Sequence, residues 1–194
     1  MKPVPRATLV LTCVTVVLAL PYLVMGAMDV GTGRVRLDVA ATLLALAFFL
    51  SLRPIRVQAN TDLSPSDVAV LAGIVLLPPG AVALVAACGR LLTDLFGRKR
   101  PIQIARNAAA VAVATGVAAS VYRVVLREAS VAVDPAAATI FAGVVAVLTL
   151  VGVDILQIVL LQRSLGSLAL DVAARQWISR TMRAQLLWSF AAIS

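Results

Sequence analysis

Few residues in this chain are of a type that does chemistry, and most of those sit inside apolar stretches. Arg90 and Asp94 stand four apart, a spacing that puts them on one face of a helix. Asn107 follows Arg106 at the start of the next apolar run, and Asp154 and Gln157 share a face of a later one. A charge near the bilayer centre costs about 2.5–3.5 kcal/mol on insertion scales, so such residues pair or line a cavity. Arg90, Asp94, Arg106, Asn107, Asp154 and Gln157 are therefore the candidate site, with three helices contributing. One reading is structural: Arg90 and Asp94 neutralise each other while Asn107 and Gln157 hold helices together. A second is a small-ligand or ion site between helices, and a third is snorkelling of the charges to the headgroups.

The same inventory excludes much. The chain has no histidine, so Ser-His-Asp triads and histidine-based zinc sites are ruled out within it. No nucleophile stands with a neighbouring base, so no catalytic residue is expected. No metal site and no cofactor are expected either. A membrane-embedded enzyme using an Asp pair ranks last among the readings. Cys13 and Cys88 each lie inside an apolar run, where reduced thiols behave as small apolar side chains. Gly31-Thr32-Gly33 has no strand-to-helix unit around it and is not a nucleotide fingerprint.

These residues must be positioned by apolar helices. Of 194 residues, 61% are hydrophobic and 13% charged, against the roughly 45–50% and 25% of soluble domains. Aromatic residues make up only 5%, so the apolar mass is Ala, Val and Leu. That suits close-packed helices and not a transmembrane barrel with aromatic girdles. The expected fold is all-α, a polytopic membrane helix bundle of six apolar runs plus the start of a seventh.

The runs are residues 7–27, 39–52, 68–77, 81–96, 102–126 and 136–161. The first is long enough to cross a hydrocarbon core of about 30 Å. It is too long for a signal-peptide core, so an uncleaved first helix is expected. Between the second and third runs lies a polar stretch, residues 56–65, without helical periodicity. Ser64-Pro65-Ser66-Asp67 then reads as a helix start. The third run stops at Pro78-Pro79-Gly80, which predicts a short proline-broken hairpin. After residue 161 comes a less apolar segment, 166–183, in which Arg175, Arg180 and Arg183 are mixed with Leu168, Trp177 and Ile178. An interfacial amphipathic helix on the cytoplasmic surface fits it. Residues 184–194 begin another apolar run too short to span. The whole, 1–194, reads as a single transmembrane helical domain truncated at its C-terminus.

Net charge is +8, yet the basic residues fall between apolar runs and not along one face, so nucleic acid is not an expected partner. If the N-terminus is cytoplasmic and each run crosses once, twelve Lys and Arg face inward and four face outward (Arg34, Arg36, Arg123, Arg127). That bias predicts a multi-pass protein of the cell inner (cytoplasmic) membrane with its N-terminus inside. Were residues 68–77 re-entrant, the first two helices would be inverted. Arg98-Lys99-Arg100 reads as a topogenic anchor beside anionic headgroups. Ala108, Ala112, Gly116 and Ser120 recur every four residues and mark a helix-packing face.

One block carries a likeness. Residues 57–122 hold a polar lead-in, a short apolar helix, Leu77-Pro78-Pro79-Gly80-Ala81, then Gly89, Asp94, Arg98-Lys99-Arg100-Pro101, Arg106-Asn107-Ala108, and Gly116 to Tyr122. This resembles the multi-helix membrane-associated sensor domains that precede HD-GYP phosphohydrolase or GGDEF cyclase domains in bacteria. Pro79-Gly80 reverses the usual Gly-Pro order, and Arg106 stands where Phe is common. The resemblance implies a sensory or anchoring input domain, itself not an enzyme, for signal transduction through a cyclic-di-GMP output domain downstream. The block is also similar to the substrate-binding S components of energy-coupling-factor vitamin transporters, which implies a small-solute site instead. Expected partners are the lipid bilayer, a small-molecule ligand and a second copy of the chain.

Overall fold

A computed structural model describes residues 5–52, 55–58, 61–63 and 66–164. The expected interfacial segment 166–183 and the apolar start 184–194 lie outside the described residues. Six helices follow in order: α1 (Arg6–Gly31), α2 (Leu37–Ser51), α3 (Ser66–Leu76), α4 (Pro79–Phe96), α5 (Pro101–Ala132) and α6 (Pro135–Ser164). Each contains one of the expected runs, except that α2 and α3 stop one residue short of theirs at the C-terminal end. In the polar stretch between α2 and α3, two short strands, β1 (Ile55–Gln58) and β2 (Thr61–Leu63), pair antiparallel, Ile55 opposite Leu63. Without an apolar helical face, their backbone groups pair with each other.

Not every run is long enough to cross. Four helices have the length and apolarity to do so: α1, α4, α5 and the Pro135–Leu161 part of α6. α2 has 15 residues and α3 has 11, about 22 and 16 Å at 1.5 Å per residue, short of a 30 Å core. Among the described residues, four helices are thus long and apolar enough to span a membrane, and two apolar helices are shorter.

Prolines and glycines set the breaks. Pro78 and Pro79 occupy the N-cap and first position of α4, where a missing N–H costs nothing. Pro101 opens α5 in the same way. At the first of these turns Arg123, far along α5, donates through Nη2 to the carbonyls of Val75 (3.4 Å) and Leu77 (3.2 Å). It satisfies acceptors that the end of α3 would otherwise leave open.

Consecutive helices run back and forth. Gly26 in α1 meets Gly80 at the start of α4, Ala47 in α2 lies beside Gly89 in α4, and Gln157 in α6 reaches Ala110 in α5. The starts of α1, α3 and α5 and the ends of α2, α4 and α6 thus share one end of the bundle, called here the basic end. α3 runs antiparallel to α2 and α4, but its 11 residues cover only about half of a 30 Å core.

Small residues let the backbones approach. Ala19, Ala83, Ala87, Ala109 and Ala112 join α1, α4 and α5 in one buried cluster. A second cluster, including Leu43, Ile74, Val82, Ala118, Tyr122 and Ala146, joins α2 to α6. A methyl group on Gly26 would overlap the Gly80 carbonyl, and one on Gly116 would enter the Tyr22 ring. The Ala108–Ala112–Gly116 stripe is therefore a packing face, turned partly to α1. α4 and α5 form the centre, each 44% buried over its apolar window, against 22% for α1 and 17% for α6. The outer helices leave Val10, Val17, Val24, Met28, Phe141 and Leu148 half or more exposed. An apolar belt of that extent suits lipid and not water.

Candidate functional site

The centre of the candidate site is Asp94, 1% exposed near the end of α4. Its position follows from how α4 stops. Arg98 adopts a left-handed conformation with φ of 52°. The Arg98 N–H then donates to Leu95 O (3.0 Å) and the Lys99 N–H to Asp94 O (3.1 Å). This is the paired-bond helix stop usually built on glycine, here with arginine in the strained position beside Gly97. In that motif the residue after the left-handed one normally makes an apolar contact back to the last turn. Here Lys99 takes that place, and its Nζ binds Asp94 Oδ1 at 2.8 Å.

The second carboxylate oxygen faces α5. Asn107 Nδ2 donates to Asp94 Oδ2 at 2.7 Å, and Asn107 Oδ1 accepts from Arg106 Nη2 at 3.0 Å. A carboxylate only accepts and a guanidinium only donates, so this order fixes the amide's orientation. Arg90 Nε lies 3.4 Å from Asp94 Oδ1, an ion pair without hydrogen-bond geometry. The Gln103 side chain accepts from the Arg100 N–H at 3.3 Å and steadies the first turn of α5. One buried anion thus ties the end of α4, the turn and the start of α5 together.

Of the six sequence candidates, Arg90, Asp94, Arg106 and Asn107 form this continuous cluster. Asp154 is half-buried on α6, outside this hydrogen-bonded cluster. Gln157 does not touch Asp94; its Nε2 donates to the Ala110 carbonyl at 3.1 Å and fastens α6 to α5. Sequence reading missed two participants. Lys99 looked like a topogenic charge, though its five-residue offset from Asp94 across a glycine is a usable signal. Arg123 looked like an outer-loop charge, and no local pattern shows that it caps a helix 46 residues away.

Beside the cluster, α1 and α6 diverge over α5 and leave a cleft of about 240 Å³. Leu11, Val14 and Leu18 form one wall and Leu156, Leu160 and Leu161 the other. Ala110 and Val113 make its floor, and its polar members are Arg106, Asn107, Gln157 and Thr15, whose hydroxyl is turned back to the Leu11 carbonyl. Among the described residues no group of three or more Cys, Asp or Glu could hold a metal ion. The arrangement holds one buried carboxylate by charged and hydrogen-bonded contacts from two helices and the turn between them.

Compared with protein families, with curated proteins and with solved structures, the chain matches none, so its family is not identified.

Proposed function

We propose that this chain is a membrane-embedded input domain, sensory or anchoring, of a bacterial signalling protein with a cyclic-di-GMP type of output. The supporting observation is that the residues carrying the resemblance act together. Asp94, the basic turn with Lys99, and Asn107 are separate motifs in sequence and one hydrogen-bonded lock in space. Such a lock has two arms that a competitor can open. A ligand or a change in surface charge that competes for Lys99 or Asn107 biases the α4–α5 hairpin between held and released forms. The test is to place Asp94→Asn and Asn107→Leu in the native gene and measure cellular cyclic-di-GMP with membrane abundance monitored. A severalfold change at normal abundance supports the reading. An unchanged nucleotide level in both variants contradicts it.

A second reading, a vitamin-type transporter subunit, is favoured by the cleft between α1, α5 and α6. Gentle purification that recovers a stoichiometric vitamin-like solute or a bound ATPase would establish it over the first.

A further inference from the structure

We infer that the cleft between α1, α5 and α6 is a binding site for one anionic phospholipid, with an acyl chain on α5 and the phosphate at Arg106. This inference needs only the bilayer setting and stands apart from the signalling role.

The lining suits an extended acyl chain. The lining repeats along three helices at helical spacing: Leu11, Val14 and Leu18 on α1, Ala110 and Val113 on α5, Val153 and Leu156 on α6. It therefore runs along the helix axes for about 10 Å. Val14, Leu18 and Leu156 are about half exposed, so the cleft opens sideways, where lipid tails are, and a chain enters without crossing a polar barrier.

The head of the site is set by charge. α5 carries no ionised side chain between Arg106 and Arg123, about 25 Å along the axis. Arg106 therefore sits where the hydrocarbon core gives way to phosphates. Its guanidinium spends one contact on Asn107, and among the described residues no carboxylate lies within ion-pair distance of it. Asp94, the nearest anion, is already held by Lys99 and Arg90, and Asp154 is not in the lining. Exposed Arg98 and Arg100 add to the same end. The guanidinium fork matches a phosphate, and the surplus of cations disfavours a head that carries its own positive group.

The test is native mass spectrometry of the purified protein, released from mild detergent after exchange into phosphatidylglycerol or phosphatidylcholine of identical chains. The wild type is expected to retain one phosphatidylglycerol, at least about tenfold in preference to phosphatidylcholine. Arg106→Gln should lower retention about tenfold. Val14→Trp, which fills the cleft, should abolish it, while Val10→Trp, on the same helix outside the lining, should leave it intact. Excess inorganic phosphate should not displace the lipid. Equal retention of both lipids, unchanged retention in Arg106→Gln or Val14→Trp, equal loss in Val10→Trp, or displacement by free phosphate would each overturn the inference.

Discussion

Replacing Asn107 by leucine should destabilise the bundle, and removing Asp94 as well should add no further loss and recover part of it. Asp94 is 1% exposed, and its Oδ2 receives a hydrogen bond from Asn107 at 2.7 Å. Hydrogen bonds to charged groups contribute roughly 1.5–3 kcal/mol, and a buried charged acceptor left open costs at least as much. Asn107→Leu should therefore cost about 2–3 kcal/mol. Arg106 also loses an acceptor, but it is only half-buried and can turn to headgroups. Asp94→Leu removes the acceptor itself and frees Lys99 and Arg90, whose side chains are 40% and 36% exposed and can find solvent. That change should cost about 1–2 kcal/mol. In the double variant neither buried polar partner remains, so the total should stay near that of Asp94→Leu alone. The coupling energy is then about 2 kcal/mol. Reversible unfolding in mixed micelles, or steric trapping in bicelles, measures all four corners of the cycle. Additivity within about 0.5 kcal/mol would refute the claim that Asn107 and Asp94 act on one another in a dry setting.

Other perturbations test the frame. Arg123→Met should open the end of α3 and cost about 1–2 kcal/mol, seen as faster hydrogen exchange across the α3–α4 turn. Gly116→Ala drives a methyl into the Tyr22 ring and should cost about 1–3 kcal/mol. Gly152→Ala meets nothing within 4 Å and should raise the thermal midpoint through helix propensity of about 0.5–1 kcal/mol. Arg98→Gly relieves the left-handed arginine and should stabilise by about 1 kcal/mol, read in the same thermal assay. A fall in its midpoint would show that the arginine's contacts outweigh its backbone strain.

The spacing of apolar runs was enough to find all six helices, because lipid requires each segment to satisfy its own backbone and to end where charge or proline begins. What it could not give was depth. Residues 39–52 and 68–77 read like their neighbours in composition, yet α2 and α3 lack the length to cross. The paired strands at 55–58 and 61–63 escaped notice because neither carries a strong period-two pattern. Asp94 stood out as a charge in an apolar run, and Arg90 as its helical neighbour. The tighter partners, Lys99 and Asn107, depend on how the chain turns between α4 and α5, set by Arg98's left-handed backbone, which the offset of Lys99 across Gly97 signals only weakly. The cleft depends on the angle between α1 and α6, helices that lie far apart in sequence.

The charge bias of the sequence predicts that the basic end, with the Asp94 lock, faces the cytoplasm. Single cysteines at Thr32, Arg98 and Asp134 in a Cys13→Ala, Cys88→Ala background test it with a membrane-impermeant maleimide. All three positions are exposed, and Arg98 lies at the opposite end from the other two. The account predicts labelling at 32 and 134 in intact spheroplasts, with 98 labelled only after lysis. Labelling of 98 in intact spheroplasts, or protection of 32 and 134 there, would contradict it.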